Sequence, residues 1–206
     1  MEKVYFIGRD TVPEKLVLEA GAQERLIFVV LPEVSAQVPI RVELNGEGAN
    51  VELDGFFICG SNEKVSFNID LHHNASHTYS YQLINGIAGG GAHSEFNGRI
   101  VVHEGICGIK AFQENHNILL SDSAIVASSP QLEIYSDDVE CSHGATSGFL
   151  NIDEQFYMRS RGIPEDEAKA LQMISFLAPV VSKISDGELR EKIAETVEKA
   201  VRKIIP

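Results

Sequence analysis

The sequence of 206 residues has no tryptophan, only three cysteines, and few cationic side chains, with 17 Lys and Arg against 30 Asp and Glu. A net charge of −13 repels phosphate backbones, which argues against a nucleic-acid partner. No apolar run reaches the about 18 residues of a membrane span, and the start Met1–Phe6 lacks the apolar core of a signal peptide. Cys59, Cys107 and Cys141 are odd in number and widely spaced, so they build no disulfide framework. We therefore expect a protein of the reducing cytoplasm without a membrane partner.

The acidity that is present is distributed unevenly. Residues 1–162 carry 10 Lys and Arg against 22 Asp and Glu, whereas residues 163–206 carry 7 against 8. All seven histidines and all three cysteines also lie in the first part. This shift predicts a core domain over 1–162 and a distinct C-terminal segment over 163–206.

The first part consists of short runs in which apolar and polar residues alternate, with Gly, Asn, Asp and Ser between them. Val, Ile, Phe and Tyr are common in the runs, which is typical of β-strands. The predicted strands are Lys15–Glu19, Leu26–Leu31, Ile40–Leu44, Val51–Cys59, Val65–Leu71, Thr78–Ile84, Arg99–His103, Ile118–Leu120, Ala124–Ala127 and Leu132–Tyr135. No helical period interrupts them, so the core is predicted to be all-β. The pattern alone fits a sandwich, a barrel or a β-helix equally.

The second part has a helical period. Pro164 suits a first helical position before three acidic residues, and Pro179 is expected to kink or end this helix. The run Ser185–Glu188 reads as a capping box that opens a second helix. Each helix carries one apolar stripe: Leu171, Ile174, Leu177 or Ala178, and Val181 in the first, and Leu189, Ile193, Val197, Val201 and Ile204 in the second. The stripes indicate either a cap on the β body or a docking element.

Most histidines of the core favour structural roles. His72 and His73 are adjacent and point to opposite faces of a strand, so they do not share a metal ion. His77 lies about 13 Å from His73 along an extended strand. His103 and Cys107 flank a turn but supply only two ligands, and we interpret them as structural residues.

Cys141 and His143 are the strongest candidates for chemistry. In a strand they project from one face with Cα atoms about 6–7 Å apart. A thiolate and an imidazole so placed reach one soft or borderline metal centre, although a closed site needs more ligands. The alternative is a buried cysteine near a hydrogen-bonded histidine. The two interpretations are equally compatible with the sequence.

Three stretches, Pro130–Thr146, Glu154–Ile163 and Gln113–Ser121, closely resemble the C-terminal signature of the SufB/SufD family of iron–sulfur cluster assembly proteins. Cys141–Thr146 resembles the SufD form, in which the histidine, here His143, is associated with cluster formation. The critical cysteine of SufB-type chains corresponds to Asn115, which is followed by His116. The chain therefore resembles SufD, in a short form without the N-terminal helical domain of typical members.

The resemblance implies a right-handed parallel β-helix followed by a small α-helical region that docks onto SufC, an ABC-type ATPase. It implies a non-catalytic scaffold subunit that binds no nucleotide and pairs through its β-helix with a SufB-like chain or a second copy of itself. A transient iron–sulfur cluster would form at that interface, with His143 and Cys141 associated with it and His116 as a further candidate.

Two other functions remain open at the level of the sequence. A β-helix or cupin-like enzyme acting on a small molecule or a carbohydrate is one, although the lack of tryptophan for sugar stacking argues against it. A purely structural interaction module is the other.

Overall fold

A computed structural model describes residues 1–205. Its strands are β1 (Glu2–Phe6), β2 (Lys15–Leu18), β3 (Gln23–Val30), β4 (Ala36–Leu44), β5 (Asn50–Cys59), β6 (Lys64–His73), β7 (Tyr79–Ala88), β8 (His93–Val102), β9 (Ile109–Leu119), β10 (Ile125–Ile134) and β11 (Val139–Phe149). The helices are α1 (Ile152–Ser160), α2 (Glu165–Val181) and α3 (Gly187–Ile204).

Successive strands alternate between two parallel sheets. The first sheet has the order β1-β3-β5-β7-β9-β11, and the second has the order β10-β8-β6-β4-β2. Each pair of consecutive strands is therefore one turn of a parallel β-solenoid with about five turns. This confirms the predicted parallel β-helix with a helical C-terminal region.

The stacking period explains why the sequence shows no short repeat. Asn50 stacks on Tyr79 and Tyr79 on Lys110, so equivalent residues lie 29 and 31 positions apart. Inward side chains of both sheets form the main core, which includes Phe28, Phe67 and Leu71. Because a period of about thirty residues varies from turn to turn, it is not visible without the register.

The two sheets differ in what covers their outer faces. In β3 every residue from Leu26 to Val30 is buried, because inward residues pack in the solenoid and outward residues pack under helices. In β4 buried and exposed residues alternate, because the outer face of the second sheet is open to solvent. Strand runs in the first sheet therefore read as continuous apolar segments.

Helices α2 and α3 cover the first sheet and form a second core with it. That core contains Ile27, Val29, Phe56, Ile58, Leu83, Ile87, Met173, Leu177, Val180, Ile193, Val197 and Val201. Most of the predicted apolar stripes are used in this way, although Leu171 is exposed. The helices therefore cap the β body, which was one of the two interpretations of the stripes.

Several local predictions differ from the structure. Pro179 lies inside α2, which continues for two more residues and ends at Val181. Pro164 is the N-cap of α2 rather than its first residue. Asp186, not Ser185, caps α3 by accepting a hydrogen bond from the backbone N–H of Leu189 at 3.1 Å.

Three elements of the structure are not among the strands and helices predicted from the sequence. Strands β1 and β11 and helix α1 carry no strong apolar period in the sequence. Helix α1 begins at Ile152, before the predicted division at residues 162 and 163. Within residues 1–205, no helix is both long and apolar enough to cross a membrane.

Candidate functional site

The last turn of the solenoid carries the candidate site. Strands β10 and β11 are the terminal strands of the two sheets, so one edge of each lacks a neighbouring strand within residues 1–205. Cys141 stacks on Ala111 and His143 stacks on Gln113, and both residues of β9 are fully buried inside the solenoid. Cys141 and His143 therefore share the inward face of β11, at the open end of the solenoid.

The thiol and the imidazole have different surroundings. Cys141 is a free, half-buried cysteine packed against the main core, and burial raises the pKa of its thiol. His143 is exposed to solvent. A buried thiol stays protonated until a metal ion displaces its proton, because the thiolate is the ligand form. The pair can thus act as two ligands for a metal ion reaching the open end.

Buried amides lie beneath His143 and beneath Ala145, the next inward residue of β11. Gln113 donates a hydrogen bond from Nε2 to Oε1 of Gln82 at 3.0 Å, while Gln113 Oε1 is buried without a hydrogen-bond partner within residues 1–205. Asn115 donates to the carbonyl of Ile84 at 3.0 Å. The interior below the site is therefore polar, a feature that the alternation of the sequence does not signal.

His116 lies on the opposite face of the first sheet from His143. Its Nδ1 is 2.8 Å from Thr146 Oγ1, and its Nε2 is 3.3 Å from Glu114 Oε2. Thr146 points outward from β11, whereas His143 points inward. The structure thus places Cys141 and His143 on one face of β11 and places His116 as a brace between β9 and β11.

A chain of polar contacts continues from this brace toward the helices. Burial raises the pKa of Tyr81 to about 12, and the negative charge of Glu114 contributes to this shift. Lys183 Nζ, in the turn between α2 and α3, lies 4.2 Å from the centre of the Tyr81 ring and 2.7 Å from Asp54 Oδ1. Asp54 is 0% exposed, and desolvation raises its pKa to about 6 despite Lys183. The outer face of the first sheet therefore links β11 to the α2–α3 turn.

The remaining histidines are separated from the site. His73 points inward, with its ring nitrogens 2.7 Å from Thr78 Oγ1 and 2.9 Å from Ser80 Oγ, and burial lowers its pKa to about 3. His72 points outward, as the adjacent positions predict, and contacts His103. Cys107 Sγ contacts Ser76 Oγ at 3.7 Å. Among residues 1–205, no three His, Cys, Asp or Glu side chains are arranged to hold a metal ion.

Exposed apolar side chains surround the open end and continue onto the helices. They are Ile134, Tyr135, Phe149, Ile152, Phe156, Tyr157 and Leu171. A groove between α1 and α2 is lined by Asp153, Glu154, Tyr157, Met158, Leu171, Gln172 and Ser175. Large apolar side chains are exposed here although α3 has buried its own stripe, so this surface is the part of the molecule suited to protein contacts.

The sequence of this chain matches a known protein family. Residues 11–176 match the model described as SUF system FeS cluster assembly, SufBD core domain. The chain belongs to the SufBD family. The matched region includes the whole of β11 and α1, so the resemblance found in the sequence is confirmed.

Curated relatives agree with this membership. The iron–sulfur cluster assembly protein SufD of Escherichia coli is 34% identical over 151 residues, covering 73% of this chain and 36% of that protein. An iron–sulfur cluster assembly SufBD family protein of Mycobacterium leprae is 28% identical over 190 residues, covering 88% and 48%. SufD of Bacillus subtilis is 29% identical over 159 residues, covering 77% and 36%. The chain thus matches between about a third and a half of the length of these SufBD relatives.

Proposed function

We propose that this chain is a non-catalytic, SufD-like scaffold subunit on which a transient iron–sulfur cluster forms at the open end of the solenoid. The observation that carries the proposal is the placement of Cys141 and His143 on the inward face of β11, the terminal strand. The cluster is cargo rather than a resident cofactor, and no nucleotide is bound by this chain itself.

The site is completed by another chain. An iron–sulfur cluster takes about four protein ligands, and β11 supplies two. The free edges of β10 and β11 offer unpaired backbone groups, and Ile134, Tyr135 and Phe149 offer apolar area beside them. We propose that a SufB-like chain or a second copy of this chain pairs here and brings the remaining ligands.

The ATPase contact is proposed on α1 and the exposed side of α2. The stripe of α3 is buried on the first sheet, so it is not free to bind a partner. Phe156 is 73% exposed, and Tyr157 and Leu171 line the α1–α2 groove beside it. A SufC-like ABC ATPase docked there would contact the helix that directly follows the site strand. A cytoplasmic complex is the setting we propose for these contacts.

The carboxylates of the outer solenoid face support a role without catalysis. Asp70 is paired with Arg41 and Arg99, and Glu43 is paired with Lys15 and Arg41. Carboxylates held in such pairs are poor general acids, because the ion pair favours the ionised form. This arrangement weakens the alternative of a carbohydrate-processing β-helix enzyme.

The deciding experiment is anaerobic co-expression with a SufC-like ATPase and a SufB-like chain, followed by purification and cluster reconstitution. We expect a stable complex with the unaltered chain, normal assembly of His143→Ala into the complex, and a loss of cluster yield of at least tenfold. His93→Ala is the matched control, since His93 is a partly exposed histidine of the second sheet paired with Glu95. Normal cluster yield with His143→Ala contradicts the assignment of the site.

The docking surface has its own test in the same system. Phe156→Ala with Tyr157→Ala is expected to release the ATPase while leaving the β-helix pair intact. Lys192→Ala with Lys199→Ala on the exposed side of α3 serves as the control. Retention of the ATPase by the α1 variant, or its release by the α3 variant, contradicts the proposed docking surface. A complex that contains two copies of this chain and the ATPase, without the SufB-like chain, indicates that the partner is a second copy.

A further inference from the structure

A second pair of potential ligands lies on the opposite side of the solenoid from the helices. His72 near the end of β6 and His103 just after β8 are 31 positions apart, and one turn of the solenoid brings them side by side. The distance from His72 Nδ1 to His103 Nε2 is 3.2 Å, with the ring centres 5.5 Å apart and an interplanar angle of 23°. Both belong to the outer face of the second sheet, which no helix covers.

Asp70 holds the first of these rings. His72 is 8% exposed, and its Nε2 is 3.0 Å from Asp70 Oδ2. The contact has ion-pair distance without ideal hydrogen-bond alignment, and this buried nitrogen has no other partner within residues 1–205. Asp70 is fixed in turn by Arg41 at 3.0 Å and Arg99 at 2.9 Å.

This contact determines which nitrogen of His72 carries a lone pair. A carboxylate beside Nε2 favours the proton on Nε2, so Nδ1 faces His103 with its lone pair available. Metal-bound histidines commonly have such a carboxylate on the second ring nitrogen, which orients the ring and increases its basicity. The arrangement of Asp70 and His72 therefore matches that of a prepared ligand.

We propose that His72 Nδ1 and His103 Nε2 together bind a divalent transition-metal ion of the Zn²⁺ type, with water in the remaining positions. Two nitrogens bound to one tetrahedral zinc at about 2.0–2.1 Å lie about 3.3 Å apart, close to the spacing in the structure. His103 is exposed, so its ring can turn until its lone pair points to the same ion as that of His72 Nδ1. Imidazole ligands select Zn²⁺, Cu²⁺ and Ni²⁺ over Mg²⁺ and Ca²⁺.

This site is independent of the pair in β11. His72 and His103 belong to the outer face of the second sheet, whereas Cys141 and His143 point into the solenoid from the first sheet. The site lies within one chain and needs no partner subunit. Its existence therefore does not depend on the proposed function.

The test is calorimetric titration of the full chain with Zn²⁺ under reducing conditions. His72→Gln and His103→Gln are each expected to weaken this binding at least tenfold, and Asp70→Asn about tenfold through loss of ring positioning. His93→Gln, on the same outer face, is expected to retain it. Cys107→Ser with Cys141→Ser removes both accessible thiols, including the proposed ligand in β11, and is expected to abolish any binding there while retaining the binding by His72 and His103.

Electron paramagnetic resonance with Cu²⁺ counts the nitrogen ligands directly, so it distinguishes metal binding from a purely structural role of the two histidines. Two nitrogen couplings are expected in the unaltered chain and in the cysteine variant, and no more than one in His103→Gln. Absence of Zn²⁺ binding in the unaltered chain overturns the proposal and leaves a hydrogen-bonded imidazole pair. Binding that survives in both histidine variants but disappears without the thiols also overturns it.

Discussion

The early and late turns of the solenoid differ in what fills the same inward column. Along the first sheet this column runs from the exposed Lys3 of β1 through Leu26, Leu53, Gln82 and Gln113 to His143, each stacked on the one before. Between its two exposed ends, the column is apolar in the early turns and lined by amides in the late turns. Backbone pairing is equally regular throughout, so the side chains alone make the early and late turns different.

The early turns contribute most of the stability, whereas the late turns contain the residues suited to binding. The early turns bury apolar area on both faces of the first sheet, which is the main favourable term in folding. The late turns bury amides whose hydrogen bonds are incomplete, which costs stability. We infer that the early turns carry the fold and that the last turn is free to carry ligands and an interface.

The largest expected effect comes from truncating the early core. Phe67 is fully buried between Phe28 and Phe57, with ring centres 6.1 and 6.4 Å away. Phe67→Ala is expected to lower the free energy of unfolding by about 3–5 kcal/mol in urea denaturation, because it leaves a cavity. Phe149→Ala, in the last turn and 63% exposed, is expected to change it by less than about 0.5 kcal/mol. Similar losses in the two variants contradict the division of the solenoid.

The next effect tests the charged contact beneath the helices. Lys183→Met leaves the buried Asp54 carboxylate without its partner, and is expected to cost about 3 kcal/mol near neutral pH. Adding Asp54→Leu should restore most of this loss. If the single variant is as stable as the unaltered chain, Lys183 does not hold the α2–α3 turn on the sheet.

The same contact predicts a pH dependence. Burial raises the pKa of Asp54 from its ordinary 3.8 to about 6, so between these values the folded chain binds a proton that the unfolded chain has lost. The contribution of Asp54 to stability is therefore complete below pH 4 and is lost as pH rises to about 6. This slope should be absent from Asp54→Leu in denaturation series from pH 4 to 7. If Asp54→Leu shows the same pH dependence of the free energy of unfolding, that dependence comes from other titratable groups.

Much of this fold follows from the sequence, for physical reasons. Alternating apolar residues predict most strands, because each buried face repeats every second residue. The edge strands β1 and β11 lack this alternation. One side of each strand is exposed, so apolar residues are not needed there. Helix α1 is not predicted from an apolar period because it buries no residue. Its only sequence signal is the N-terminal cap formed by Asn151, Asp153 and Glu154.

The site could be predicted only in part. The positions of Cys141 and His143 on one strand face follow from a period of two residues. The placement of Gln113 beneath His143, of Thr146 against His116, and of His103 against His72 depends on register between turns. That register depends on the lengths of the loops between strands, which vary from turn to turn. The alternation of residues within one strand therefore does not reveal it.

A smaller effect, of opposite sign, comes from making the late column apolar. Gln82 and Gln113 share one hydrogen bond, while Gln82 Nε2 and Gln113 Oε1 lack partners within residues 1–205. Replacing both by leucine removes two unpaired buried groups together with the bond between them. Gln82→Leu with Gln113→Leu is expected to raise the free energy of unfolding by about 1 kcal/mol in urea denaturation. A loss of stability indicates that the amides are needed for folding.

His143→Ala is expected to have as small an effect on folding as Phe149→Ala, although we expect it to have a large effect on cluster assembly. His143 is exposed at the end of the column, so His143→Ala should change the free energy of unfolding by less than about 0.5 kcal/mol. Urea denaturation of the isolated chain measures this, with Ile84→Ala, buried one column away in β7, as a destabilising reference. If His143→Ala unfolds as easily as Ile84→Ala, the last turn is part of the stabilising core. A stable variant with lost cluster yield instead means that the imidazole is retained for its chemistry, since the fold does not require it.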